Sequence, residues 1–300
     1  QSICFQHEGI VYDLAMSQDG KTLVTGTEKG LLTFWDVNTG KQIKALQFDG
    51  SIWELWLHPD GLWLGVGRTN GVSIVDMETM ADMDKKLDVE GEVKAIAFDG
   101  SGAYMAFGTS KGNVFIWQVM GSQMVEGPKH NGGVIDLEFS PDGKWLISVG
   151  EDSTARGTLT AYGGQKYSVT HGDWVEDVTF GPDSSWFVTV SDDNTVRVLE
   201  TETGQEKLRM EQANFVQKVR VSKDGQWIAT TGYDKTLRIW DSASGAEVMQ
   251  IPVGGIGSSI RFNGDATRLV VGDYDGYITL LDVSHLKART GFVQFSEFIH

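Results

Sequence analysis

Apolar residues recur along the chain at a spacing of 41 positions. The column that starts at Leu14 continues as Leu55, Ile96, Leu137, Val178, Val219 and Ile260. The column at Met16 continues as Leu57, Phe98, Phe139, Phe180, Val221 and Phe262, and the column at Leu23 as Leu64, Met105, Leu146, Phe187, Ile228 and Leu269. None of these positions is polar. Positions 14 and 16 lie two apart, which is a strand period and not a helical one. Turn-formers recur in phase at 19, 60, 101, 142, 183, 224 and 265, as in Asp19-Gly20, Asp60-Gly61, Asp142-Gly143 and Asp224-Gly225. The first unit then predicts strands over Val11–Met16, Thr22–Thr25, Leu31–Asp36 and Ile43–Gln47. No unit has room for a long amphipathic helix. A lone four-stranded sheet cannot bury both faces, so units must stack, and a closed ring hides the ends. The expected fold is all-β: a single domain over residues 1–300, a seven-bladed β-propeller of four-stranded antiparallel blades.

Composition narrows what such a ring can bind. Asp plus Glu number 41 against 25 Lys plus Arg, for a net charge of −16. Nucleic-acid binding needs concentrated positive charge to release counterions from phosphates, and no basic run supplies it. An anionic membrane surface is disfavoured for the same reason. The 37 Gly and 5 Pro suit many tight turns. One cysteine, Cys4, and no Asn-x-Ser/Thr sequon favour an intracellular setting, cytoplasm or nucleus. The chain begins at Gln1 without an initiator Met or a signal-like stretch, which reads as a processed chain or one part of something longer. No Gly-rich phosphate cradle with a following Lys is present, and Asp273-Tyr274-Asp275-Gly276 lacks the later ligands of a calcium loop. No cofactor or metal is expected.

Trp35-Asp36 and Trp240-Asp241 close the third strand of their units, and His7, His130 and His171 share a column. The string from Gly232 to Asp241 resembles the WD-repeat β-propeller family, and the likeness extends over the whole chain. Residues Trp35 to Asp76 are also similar to a blade pair of the Groucho-type corepressors, in columns that many WD-repeat proteins share. The family resemblance implies a relay in which a loop His, a second-strand Ser/Thr, a turn Asp and the third-strand Trp satisfy one another. No unit carries all four: unit 4 has His130, Ser148 and Asp152 with Thr158 in place of Trp, and unit 6 has Thr230, Asp234 and Trp240 with Gln212 in place of His. Partial relays predict that apolar packing dominates stability. A His beside an Asp and a Ser also suggests a catalytic triad, but recurrence at the repeat period favours the structural role, and no enzyme activity is expected.

The resemblance further implies that three slots per blade line the top face. They flank the first buried residue of the inner strand and precede the turn Asp. Tyr12, Glu28, Trp53, Glu151, Trp174, Glu176, Asp192, Phe215, Tyr233 and Tyr274 fall in these slots, as do Glu92 and one cation, Lys94. Aromatic rings beside carboxylates suit a peptide or loop bearing Lys or Arg. The expectation is a non-catalytic interaction scaffold with a protein or peptide partner, in which Trp53→Ala or Trp174→Ala abolishes binding at unchanged melting temperature. The alternatives are a structural subunit of a large assembly, or an enzyme or small-ligand site in the channel. Ser2–Gln6 is expected to complete the last blade as its outer strand, in competition with Arg289–Val293, and 284–300 to form a tail that lies over the outer edge or binds a partner.

Overall fold

The computed structural model describes residues 10–119, 121, 123–263, 266–274, 278–284 and 286. Seven antiparallel sheets follow one another along the chain. Six have four strands and the last, among the described residues, has three. The first blade is Val11–Met16, Thr22–Thr27, Leu31–Asp36 and Gln42–Gln47, one or two residues longer at two ends than its hydrophobic pattern predicts. The innermost strands of blades 2 to 7 are Ile52–Leu57, Val93–Phe98, Val134–Phe139, Val175–Phe180, Val216–Val221 and Gly257–Phe262. Blade 7 continues with Arg268–Asp273 and Ile278–Asp282. Ser2–Gln6, Arg289–Val293 and Cys4 lie outside the described residues, as does the tail apart from Ser284 and Leu286. Leu286 is buried against blades 6 and 7.

The turns between first and second strands need a left-handed residue. Gly20, Gly61, Gly102, Gly143 and Gly225 supply it with φ of 68 to 75°, and Ser184 and Ala266 take φ of 63 and 53° in the same slot.

The core is divided among the blade junctions. Six apolar clusters each join one blade to the next. In the first, Val24, Leu32 and Phe34 of blade 1 meet Ile52 and Leu55 of blade 2. Small residues permit the approach: a side chain at Gly26 would collide with Ile52, and one at Gly108 with Val134. The junction between blades 7 and 1 differs. Leu14 is 58% exposed, whereas the same column from Leu55 to Ile260 is at most 4% exposed. Val270 and Leu280, on blade 7, are 38% and 60% exposed. The energetics of one sequence column should therefore split. Leu137→Ala is expected to lose about 2–5 kcal/mol through its cavity, and Leu14→Ala under about 1 kcal/mol. Urea unfolding of the two variants measures the difference.

Candidate functional site

Every inner strand carries a β-bulge at the same place. The pairing register shifts between Val11 and Asp13, Ile52 and Glu54, Val134 and Asp136, Val175 and Asp177, Val216 and Lys218, and Gly257 and Ser259, and opposite Gly108 and Thr109 in blade 3. A bulge inserts one residue and re-aims its neighbours. It directs two consecutive positions of each strand at the channel, one at the mouth and one in the throat. Tyr12 and Asp13, Trp53 and Glu54, and Ser258 and Ser259 line the throat cavity as such pairs.

At the mouth, a backbone bond in each blade draws the sequence-predicted slots together. Glu28, Thr69, Ser110, Glu151, Asp192, Tyr233 and Tyr274 donate their N–H to the carbonyls of Ile10, Ser51, Glu92, Gly133, Trp174, Phe215 and Ile256, at 2.8–3.1 Å. Their side chains then divide. A cavity of about 430 Å³ is lined by Trp53, Lys94, Ser110, Gly133, Val134, Ile135, Glu151, Trp174, Glu176 and Tyr274. It gathers five of the ten predicted residues. Glu28 is turned back to accept a bond from Ile10 N at 3.4 Å. Phe215 and Tyr233 pack edge to face, 5.6 Å apart, and Tyr12 stacks on Trp53 at 4.7 Å. Tyr12, Phe215, Tyr233, Glu28 and Asp192 do not line this cavity.

Trp53 is not a free platform. Tyr12 covers one ring face, and the Lys94 ammonium lies over the ring, 4.9 Å from its centre, while also pairing with Glu92 at 3.3 Å. Trp174, by contrast, is 46% exposed, with no aromatic or cation–π partner among the described residues. Glu151 accepts a bond from Gly133 N at 3.0 Å. No Lys or Arg lies within ion-pair distance of Glu151, Glu176 or Asp192 among the described residues. Burial and the charge of Asp192 push the Glu176 carboxyl up to about 7, and burial with the charges of Asp173 and Asp193 pushes Asp192 up to about 6. These carboxylates are placed to gain from an added cation.

A second cavity of about 290 Å³ shares the lining residues Trp53, Lys94 and Ile135 with the first. Its polar ring occupies one slot per blade and was not anticipated from the sequence: Asp13, Glu54, Asp136, Asp177, Lys218 and Ser259, with Ala95 in blade 3. Each of its acids accepts a backbone N–H from the next blade. Leu55 N donates to Asp13 at 2.8 Å, Ile96 N to Glu54 at 2.8 Å, Val178 N to Asp136 at 3.2 Å and Val219 N to Asp177 at 2.7 Å. Arg220 pairs with Asp177 at 2.7 Å and Lys218 with Asp177 at 3.8 Å. Burial raises Glu54 and Asp136, each reinforced by a neighbouring carboxylate, and burial pushes Glu138 up to about 7. Burial also works against the charge on Asp177, but Arg220 and Lys218 outweigh it and hold that carboxyl low. Burial and the Asp177 charge thus hold the Asp136 carboxyl up, while the basic neighbours of Asp177 hold its own carboxyl down.

The signal for this ring was present. The buried positions of blade 4 run 134, 137, 139, and the step of three marks the bulge. Trp56 shares its repeat column with Glu138, Arg220 and Arg261, and all four line the same cavity.

The relays are better completed than their sequences suggest. In blade 6, Trp240 Nε1 donates to Thr230 Oγ1 at 2.9 Å, Thr230 to Gln212 Oε1 at 2.9 Å, and Gln212 Nε2 to Asp234 at 3.0 Å. An amide has both a donor and an acceptor, so Gln212 passes the chain on as a His would. Arg156, Arg197 and Arg238 then clamp Asp152, Asp193 and Asp234 at 2.8, 2.8 and 3.2 Å, each four residues after its Asp. In blade 4, His130 contacts Ser148 and Asp152, both at 2.8 Å. That triple has triad connectivity, yet Ser148 is 1% exposed and the His130 side chain has no exposed surface, so a substrate has no approach. Burial lowers the pKa of both His130 and His171.

Among the described residues, no group of His, Cys, Asp and Glu is placed to hold a metal ion, and no helix is long and apolar enough to cross a membrane.

Seven successive antiparallel blades around a polar channel, with relay bonds of the Trp/Thr/His-or-Gln/Asp kind in blades 1, 4, 5 and 6, define a seven-bladed β-propeller. The family described as "WD domain, G-beta repeat" matches residues 1–36, 122–156, 164–199 and 206–241, so the chain carries WD repeats. It is similar to the small ribosomal subunit protein RACK1 of Brassica napus, with 32% identity over 97 residues, 32% of this chain and 29% of that protein. It is also similar to the LST8 homolog of Drosophila pseudoobscura pseudoobscura, with 26% identity over 154 residues, 47% of this chain and 49% of that protein. The matches span between about a third and a half of these relatives.

Proposed function

We propose that this propeller is a non-catalytic protein-interaction scaffold that holds a peptide or loop bearing Lys or Arg in its top-face mouth. The observation that carries this reading is the exposed Trp174 beside Glu151 and Glu176, carboxylates with no ion-pair partner among the described residues. A ligand cation placed there stacks on a bare indole and pairs with carboxylates that have no cation beside them, both favourable in a partly desolvated cavity. The net charge of −16 opposes nucleic acid and anionic membranes as ligands. The name of the Brassica relative, a small ribosomal subunit protein, favours a second reading: a fixed subunit of a large assembly, held by its outer edges.

The double variant Trp174→Ala/Tyr274→Ala tests the first. Both side chains are well exposed, so its melting temperature should stay within a few degrees of wild type. Affinity capture followed by mass spectrometry should lose the partners that the wild-type domain retains. An unchanged set of partners overturns the mouth reading and favours attachment by the edges. Trp53→Ala is the poorer test, because it unstacks Tyr12 and frees Lys94, mixing binding with rim stability.

A further inference from the structure

The mouth cavity has walls of opposite charge. Blades 2 and 3 contribute Trp53, Lys94 and Ser110, and blades 4 and 5 contribute Glu151, Trp174 and Glu176. We propose that the mouth is a polarised peptide site, whose ligand carries a basic and an acidic residue together, the base on the Trp174–Glu176 wall and the acid on the Lys94 wall. The inference rests on the reading of the mouth as a peptide site and specifies which peptides it takes.

Three observations carry it. Lys94 is the sole cation lining this cavity among the described residues, and it reaches across the blade boundary to lie over Trp53. Its side chain is 40% exposed and its one carboxylate contact, Glu92 at 3.3 Å, is itself 35% exposed, so the ammonium keeps donors for a ligand oxygen. Because Lys94 already occupies the indole of Trp53, a ligand cation on that side meets like charge and a covered ring. It is directed to Trp174, which is bare. There, Glu151 and Glu176 stand without an ion-pair partner among the described residues, and both line the cavity. A peptide with only basic residues satisfies one wall and is repelled by the other, whereas a mixed-charge peptide satisfies both.

A phage-displayed random peptide library, selected on the immobilised wild-type domain, on K94E and on W174A, tests this. Wild type should enrich sequences containing Arg or Lys together with Asp or Glu. K94E should lose the acidic preference and gain a second basic residue, and a peptide selected on wild type should bind K94E about tenfold more weakly. Lys94 is a surface side chain, and an unchanged melting curve confirms that K94E is folded. Wild-type peptides that are basic without acids, with the same set recovered on K94E, overturn the polarised site and leave the mouth reading standing. Recovery of the same peptides on W174A, or no enrichment on wild type, removes the mouth reading and this inference together.

Discussion

Asp177→Ala is expected to cost about 3–5 kcal/mol of folding stability, the largest single-residue loss outside the apolar junctions. The Asp177 side chain is 1% exposed, and three groups from blade 6 depend on it: Val219 N at 2.7 Å, Arg220 at 2.7 Å and Lys218 at 3.8 Å. Removing the carboxylate leaves a guanidinium and an ammonium in the throat without the carboxylate they pair with, and an inner-strand N–H without its acceptor. Arg261, whose pKa burial and the Arg220 charge already lower, then meets a more positive surrounding. Asp177→Asn keeps an acceptor for Val219 N and loses the charge, so it should fall between wild type and Asp177→Ala. Urea unfolding followed by tryptophan fluorescence reads the series. If Asp177→Ala loses less than about 1 kcal/mol, the throat ion pairs contribute nothing to joining blades 5 and 6, and apolar packing alone carries that junction.

The fold was legible because repetition averages out local accident. Any one strand is ambiguous, but seven copies of an apolar column at a fixed spacing are not, and the turn slots identify themselves by the same count. The mouth was legible only as a set of positions. Sequence placed Trp53 and Trp174 in equivalent roles. The structure separates them, because Lys94 comes from the corresponding slot of the next blade and covers one indole and not the other. That distinction depends on side-chain reach across a blade boundary, which a column does not encode. The throat ring went unseen for a different reason. A strict alternation carried from Tyr12 through Leu14 and Met16 assigns positions 13 and 15 to no interior, whereas the bulge after position 11 turns 13 into the channel. Gln212 looked like a broken relay because it was compared by residue type; compared by donors and acceptors, it completes one. The exposed junction between blades 7 and 1 has no signature in the columns at all, since Leu14 is as apolar as Leu137.

Stability should fall as pH rises from about 5.5 to 8, contrary to the usual behaviour of an acidic protein whose carboxylates are paired. Glu138 and Glu176 are held up to about 7 and Asp192 up to about 6, while Glu54 and Asp136 are also raised. For a carboxyl whose folded pKa exceeds its unfolded value of roughly 4, the native state binds the extra proton between the two values. Its contribution is complete below the unfolded pKa and is lost as pH climbs through the folded one. The depressed carboxyls, Asp152 and Asp193, act with the opposite sign, but only below about pH 4, where the unfolded chain begins to take up protons. Buried His130 and His171, whose pKa is lowered, offset part of this fall up to about pH 6.5, so the decline is steepest above it. Glu138 alone should account for about 2 kcal/mol between pH 5.5 and 8. Its surroundings explain why the proton stays: burial outweighs the attraction of Arg220 and the bond from Phe180 N, and the Asp177 charge adds to it. Glu138→Gln keeps the acceptor for Phe180 N and removes the titration, so the variant should show a flatter profile and exceed wild type in stability at pH 8. Urea midpoints measured at half-unit intervals from pH 5 to 8 decide it, and an unchanged slope in Glu138→Gln would show that this carboxyl is ionised throughout.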